Sequence, residues 1–107
     1  MRILVLENNL LWSSKLHRSL SHFGHEAEVS VRDSGAAYDV AIVNLGVPDL
    51  RNQIPGLTLR GVYVIGHAGH KEKELHEIGR ELGCARLATN SELTFKIDKL
   101  ISEAVPA

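Results

Sequence analysis

The chain has 107 residues, with 12 basic and 13 acidic side chains and a formal net charge of −1. That length predicts a single domain, residues 1–107, and a hydrophobic fraction of 44% is typical of a globular chain with a buried core. The near-zero charge disfavours a protein that holds nucleic acid by bulk positive potential. No apolar run approaches the ~18 residues of a membrane span. A single cysteine, Cys84, excludes an internal disulfide, and we expect a cytoplasmic protein without a signal peptide.

The first third of the chain predicts a strand, a helix and a second strand. The continuous apolar run at residues 3–6 predicts a strand that is buried on both faces. Asn8 or Asn9 is placed to cap the helix that follows, and Gly24 predicts its end. The apolar face of this helix consists of Trp12, Leu16, Leu20 and Phe23. Alternating apolar residues at 26–31 then predict an edge strand with one wet face.

The middle of the chain predicts two more buried strands, at residues 40–43 and 62–65. Residues 32–37 hold at most a short helix, and residues 44–48 are a turn region. Pro55-Gly56 keeps any helix within residues 49–59 short.

The last third predicts a helix, a short strand and a final helix. Residues 71–82 carry Leu75, Ile78 and Leu82 on one side and end at Gly83. Residues 85–88 form the fifth predicted strand, and Ser91 is expected to cap the last helix. The apolar stripe of that helix consists of Leu93, Ile97, Leu100, Ile101 and Ala104. The only predicted tail, at which a longer natural chain could have been cut, is Val105-Pro106-Ala107.

Alternation of strands and helices predicts parallel strands joined by right-handed crossovers, with helices on both faces of the sheet. The chain is too short for a closed eight-fold barrel. We therefore predict an α/β, flavodoxin-like, doubly wound three-layer sandwich whose five-stranded parallel sheet has the order 2-1-3-4-5. In such sheets the functional site lies beyond the carboxyl ends of the strands. The residues that follow the predicted strands there are Glu7, Asn8, Asn44, Gly66, His67 and Asn90.

Three segments of the chain resemble the receiver domain of bacterial two-component response regulators. Residues 3–8, Ile-Leu-Val-Leu-Glu-Asn, are similar to the family's first strand and its acidic pair. Residues 38–49 are similar to the segment around the phospho-accepting aspartate, including the proline four residues later, here Pro48. Gly83-Cys84-Ala85 matches the Gly-Ala that usually precedes the fifth strand. The resemblance spans essentially the whole chain and implies a signal-transduction domain.

The same resemblance implies that the phosphoryl chemistry is lost. Asn44 stands where the family has its acceptor aspartate, and an amide is not a usable nucleophile at neutral pH. The family binds Mg²⁺ with its acidic pair and that aspartate, whereas here only Glu7 is acidic and Asn8 is neutral. The family's conserved lysine aligns with Asn90, its strand-four threonine or serine with Gly66, and its strand-five aromatic with Leu87. These joint losses imply a degenerate pseudo-receiver that is not an enzyme, needs no cofactor and works independently of phosphorylation.

A pseudo-receiver of this kind is expected to act by binding protein. The resemblance implies a contact face on the fourth helix, the fifth strand and the last helix. In this sequence that face would contain Lys71, Lys73, Glu74, Glu77, Arg86, Leu87 and Lys96. The expected partner is another protein or an output domain, with a homodimer as a further option, and neither nucleic acid nor membrane is expected to bind.

Other interpretations of the same residues stay open. A small-ligand sensor would use a pocket formed by Asn8, Asn44, His67 and Asn90, whereas the same asparagines could simply satisfy loop backbone groups. A metal site would use His67, His70 and His76, since neighbouring histidines can share a cation. An ordinary phosphorylated receiver is the third alternative. The chain has no Gly-x-Ser-x-Gly elbow and no Walker A loop, and Cys84 is expected to be a packing residue.

Overall fold

The computed structural model of the chain describes residues 1–104, in which strands and helices alternate. The strands are β1 (Arg2–Leu6), β2 (Glu26–Ser30), β3 (Val40–Asn44), β4 (Tyr63–Ala68) and β5 (Arg86–Thr89). The helices are α1 (Leu10–His22), α2 (Pro48–Arg51), α3 (Ile54–Leu59), α4 (Lys73–Leu82), α5 (Asn90–Phe95) and α6 (Ile97–Glu103). The predicted tail, residues 105–107, lies outside the described residues. No helix in this part of the chain combines the length and the apolar character needed to cross a bilayer.

The strands form one five-stranded sheet in the order β2-β1-β3-β4-β5, and each neighbouring pair is parallel. The predicted fold class and strand order are therefore confirmed. β2 lies at one edge, as its alternating pattern predicted. The continuous apolar run of β1 supplies buried side chains to both faces of the sheet, because successive side chains of a strand point to opposite sides.

Two apolar clusters cover the two faces of the sheet and make the fold a three-layer sandwich. The first joins β1, β3, β4 and β5 to α1, α5 and α6, and its buried members are Ile3, Val5, Leu16, Leu20, Val40, Ile42, Ile65, Ala88, Leu93, Ile97, Leu100 and Ile101. The second lies under α2, α3 and α4, and its buried members are Leu4, Leu6, Tyr38, Ala41, Val43, Leu45, Leu50, Ile54, Leu57, Val62, Val64 and Ala68. Leu75 and Leu82 of α4 pack against this second cluster, as the predicted helix face requires.

The termini of α1 and α4 follow the predicted signals. The side chain of Asn9 accepts a hydrogen bond from the Trp12 backbone N–H at 3.1 Å, so Asn9 rather than Asn8 caps α1. Gly83 ends α4 with a φ of +101°, a left-handed conformation that only glycine adopts without strain.

β4 is longer than predicted. The expected strand ended at residue 65, but pairing continues through His67, opposite Asn44 of β3, and Ala68, opposite Thr89 of β5. In the sequence the apolar run stops at Ile65, before Gly66 and the polar His67. Its imidazole nevertheless lies inside the protein, where only 2% of the residue is exposed.

The last predicted helix is in fact two helices. Thr89, not Ser91, caps α5: its hydroxyl accepts from the Glu92 backbone N–H at 3.0 Å, and Glu92 accepts in return from the Thr89 N–H at 3.1 Å. Lys96 then leaves the helical region with a φ of −132° and separates α5 from α6. The break lets both short helices turn their apolar residues onto the first cluster.

Candidate functional site

Four polar side chains meet at the carboxyl ends of the central strands. Glu7 directly follows β1, Asn44 ends β3, His67 lies in β4 opposite Asn44, and Asn90 begins α5 immediately after β5. They line a cavity of about 260 Å³. Its other lining residues are Asn9, Trp12, Ala68 and Glu72. The sheet therefore brings together Glu7, Asn44, His67 and Asn90, as predicted from their places after the strands.

Glu7 is the buried anion of this cavity, with 3% of the residue exposed. Its Oε2 accepts from the backbone N–H groups of Asn8 at 3.0 Å and Asn9 at 3.2 Å. The Asn44 side-chain amide donates to both carboxylate oxygens at 3.1 Å. Oε2 thus has three donors, whereas Oε1 has one. This asymmetry leaves acceptor capacity on Oε1 only.

Asn44 is held so that its amide nitrogen faces Glu7. Its Oδ1 accepts from the Gly46 backbone N–H at 2.9 Å, which fixes the other end of the amide. A Cβ atom at position 46 would come within 3.2 Å of that oxygen, so glycine suits this close approach. An aspartate could not donate to Glu7, whereas the asparagine satisfies both neighbours.

His67 joins β4 to α5. Its Nδ1 lies 2.8 Å from Asn90 Oδ1, and because a carbonyl oxygen only accepts, Nδ1 carries the hydrogen. Nε2 points at Glu7 Oε1, 3.7 Å away, and has no hydrogen-bond partner among residues 1–104. The ring of Trp12 lies beside the imidazole, with centroids 6.0 Å apart. Nε2 and Oε1 therefore face each other at a separation longer than a hydrogen bond.

Burial lowers the pKa of His67 below its ordinary value of 6.5, although the Asn90 hydrogen bond and the Glu7 charge act in the opposite direction. The unfolded chain consequently binds a proton at this residue more readily than the folded chain. By linkage, His67 therefore lowers the free energy of unfolding as the pH falls through 6.5 towards its folded-state pKa.

Lowering the pH from about 7.5 to about 5.5 in metal-free buffer is expected to destabilise the protein, and His67→Gln is expected to remove part of that loss. The His67→Gln variant is still expected to lose some stability at low pH because of His25, since burial and the nearby N-terminal charge also lower the pKa of that residue. Urea unfolding at several pH values measures the slope. The matched control is His17→Gln at an exposed position of α1. An identical slope for wild type and His67→Gln would contradict the prediction.

The cavity does not fit Mg²⁺, the cation that the receiver resemblance implies. Mg²⁺ requires several oxygen ligands, usually carboxylates, and gives up its waters reluctantly. Here Asn44 presents its amide N–H groups to the cavity, and Glu7 has free acceptor capacity on one oxygen only. The side chain that replaces the second acid, Asn8, is exposed and lines a neighbouring groove with Val31 and Asp33.

Two predicted pocket residues need correction. Asn8 does not line the cavity, and Asn9 takes that place. Gly66 faces the opposite side of the sheet, because a Cβ atom there would meet Cys84 Sγ at 2.8 Å and Leu45 at 3.0 Å. Strand alternation therefore turns the side chain of His67, and not position 66, towards the cavity.

The three histidines of the alternative metal site do not converge. His67 is buried in β4, His70 is exposed in the turn before α4, and His76 Nε2 lies 3.1 Å from the Gly69 carbonyl oxygen. Within residues 1–104 no three His, Cys, Asp or Glu side chains are grouped closely enough to hold a metal ion by themselves.

Some residues of the predicted contact face already form ion pairs with neighbouring residues or pack inside the protein. Arg86 donates to Glu103 and Glu92 at 3.1 Å each, and these bonds raise its pKa. Glu77 pairs with Arg80 at the surface. Leu87 packs against the second cluster. The exposed residues of the face without an ion-pair partner among the described residues are Lys71, Lys73, Glu74 and Lys96.

Three residues of this region were not predicted. Trp12 covers His67, and Glu72 reaches the cavity while accepting from the Gly69 N–H at 2.8 Å. The position of Trp12 one turn after Asn9, at the start of a helix that follows the first strand, was a usable signal. Phe95 is 80% exposed beside Lys96 and adds an apolar group to the contact face. Its place two residues after Leu93, off the predicted apolar stripe, was a usable signal.

The fold is similar to that of receiver domains of response regulators. The receiver domain of the TMAO respiratory system response regulator TorR matches with a TM-score of 0.78 and 18% identity, over 97% of this chain and 98% of that one. CheY4 of Vibrio cholerae, a chemotaxis protein, matches with a TM-score of 0.81 and 12% identity, over 97% and 98%. HP1043, an orphan response regulator of H. pylori, matches with a TM-score of 0.78 and 14% identity, over 98% and 97%.

A longer protein also contains this fold. In NtrX from Brucella abortus the match has a TM-score of 0.82 and 16% identity, and it covers 96% of this chain but 25% of the NtrX chain. No protein-family model matches the chain. No curated protein matches its sequence. At these identities the likeness establishes the receiver fold.

Proposed function

We propose that this chain is a degenerate receiver domain that does not catalyse or accept phosphoryl transfer and acts in signalling by binding protein. The observation that carries the proposal is the hydrogen bond of Asn44 to Glu7. Asn44 occupies the place of a phospho-acceptor on the receiver fold, yet its amide is bound to Glu7 at one end and to Gly46 at the other. Hydrogen bonds at both ends of its amide thus hold the asparagine in place.

The neighbouring positions support the same proposal. Phosphoryl transfer depends on cations and donors that stabilise the charge of the transferred group. In this cavity His67 and Asn90 bond to each other, and the lining contains no lysine or arginine. A phosphoryl group would therefore meet Glu7 and Glu72 without a compensating positive charge.

The small-ligand alternative has less support. The cavity of about 260 Å³ is smaller than the ~300–1,000 Å³ that is usual for organic ligands. Most polar atoms that line it already bond to each other, which leaves few groups to recognise a ligand. An ordinary phosphorylated receiver, the remaining alternative, would need a nucleophile at position 44, where this chain has the amide of an asparagine.

Incubation with acetyl phosphate or phosphoramidate and Mg²⁺ is expected to leave the protein unmodified. Intact-mass spectrometry measures the result, with a receiver domain that has its acceptor aspartate as the positive control. A stoichiometric phosphoryl adduct on this chain would overturn the proposal.

Protein binding is tested at the predicted contact face, on α4, β5 and the two helices α5 and α6. A tagged chain is used to isolate partners, which are then bound quantitatively to variants. The double variant Lys73→Glu/Lys96→Glu reverses two unpaired charges of this face and is expected to weaken binding. Lys15→Glu, an exposed residue of α1, is the matched control. Equal loss in both variants, or in neither, would place the contact elsewhere.

A further inference from the structure

We propose that Glu7 and His67 bind a divalent transition-metal ion, for which Zn²⁺ is the model, between Glu7 Oε1 and His67 Nε2. The starting observation is that these two atoms are buried, that they face each other across 3.7 Å, and that Nε2 has no hydrogen-bond partner among residues 1–104. An ion placed between the two atoms would contact both of them. The inference uses the pocket geometry alone and does not depend on the proposed partner binding.

The distance fits one ion that contacts both atoms. Zinc binds imidazole nitrogen at about 2.0–2.1 Å and carboxylate oxygen at about 2.0–2.2 Å. For a shared ion these lengths separate the two ligand atoms by about 3.4 Å at the tetrahedral angle, and by about 3.7 Å when that angle opens modestly. The separation of 3.7 Å in the protein therefore lies within the range of a slightly opened zinc site.

The surroundings of both ligands match those of metal-binding side chains. A histidine that binds a metal through one nitrogen usually donates its other N–H to an oxygen, which fixes the ring and raises its basicity. His67 does so through Nδ1 to Asn90 Oδ1 at 2.8 Å. The carboxylate of Glu7 is likewise oriented by Asn44 and by two backbone N–H groups.

The chemistry of the donors favours zinc over magnesium. Imidazole nitrogen suits zinc and other late first-row ions, whereas Mg²⁺ prefers a set of oxygens. Two protein side chains leave further coordination positions for water in the cavity, and Glu72 lines the same cavity. We expect a weak, exchangeable site, since two ligands hold an ion less firmly than the four of a structural zinc site.

The test is titration of the chelator-treated protein with Zn²⁺ and Co²⁺ in separate calorimetric and thermal-unfolding experiments. One equivalent of Zn²⁺ is expected to bind and to raise the melting temperature, while Mg²⁺ at the same concentration has no effect. Co²⁺ is expected to give the visible absorption of a nitrogen- and oxygen-ligated ion. No zinc binding, or equal effects of Zn²⁺ and Mg²⁺, would overturn the proposal.

Variants locate the ion. His67→Gln and Glu7→Gln are expected to abolish the binding, and Asn90→Ala, which keeps both ligands, is expected to weaken it about 10- to 100-fold. Circular dichroism of each variant before the titration shows whether the variant is folded. If Glu7→Gln does not fold, Asn90→Ala still tests the site. His70→Gln and His76→Gln are the matched controls and should bind zinc like the wild type. Binding that survives His67→Gln and disappears in either control would place zinc on surface histidines and refute the site.

Discussion

Asn44→Asp is expected to destabilise the protein by about 2 kcal/mol, enough to lower the melting temperature by about 10 °C. The substitution replaces the amide that donates to Glu7 at 3.1 Å with a second carboxylate at the same place. It also leaves the Gly46 N–H as the only fixed donor to position 44. Glu7 is buried and position 44 is half-buried, and two carboxylates there without a counter-ion repel each other, so the loss exceeds that of a single hydrogen bond. Thermal and urea unfolding measure the change.

The matched control is Asn8→Asp, which adds the same charge next to Glu7 at an exposed side chain and should change stability by less than about 0.5 kcal/mol. Mg²⁺ is expected to rescue Asn44→Asp, because the second carboxylate supplies the oxygen ligand that the wild type lacks. At about ten times its Kd the ion would contribute about 1.4 kcal/mol. Equal stability of Asn44→Asp and wild type without metal would show that Asn44 does not hold the site together as we infer.

The sheet could be predicted because its signals are local. The central strands β1 and β3 are continuous apolar runs, and such runs require burial on both faces. The strand order followed from short parallel crossovers and needed no side-chain detail. Glycine at position 83 and asparagine at position 9 marked helix termini for reasons that depend on one residue each.

The errors arose where a residue's place depends on distant parts of the chain. The predicted strand ended at residue 65, before Gly66 and the polar His67, but Trp12 and Asn90 give His67 a buried environment. Gly66 was assigned to the pocket from its place directly after the predicted strand, whereas the register of β4 against β3 turns the next residue towards Glu7. The division between α5 and α6 at Lys96 had no signal, since the apolar stripe continues through it.

These placements change what restoration of phosphoryl transfer would require. Under the proposed function, Asn44→Asp alone supplies a nucleophile, whereas His67 supplies no hydroxyl and Asn90 no positive charge. Each missing preorganised contact typically costs about 2.7–4 kcal/mol in the barrier. The quadruple variant Asn8→Asp/Asn44→Asp/His67→Thr/Asn90→Lys places carboxylates at positions 8 and 44, a hydroxyl at the position that faces the cavity, and a positive charge at position 90. We expect it to label with acetyl phosphate at least about 100-fold faster than Asn44→Asp.

A time course of phosphoryl incorporation compares the two variants under identical Mg²⁺ concentrations. The matched control keeps Asn44 in the otherwise identical triple variant Asn8→Asp/His67→Thr/Asn90→Lys, and it should not label because it lacks the nucleophile. If Asn44→Asp labels as fast as the quadruple variant, positions 67 and 90 do not limit the chemistry. The replaced pocket would then be one substitution away from a working receiver. The case for a phosphorylation-independent domain would rest on Asn44 alone.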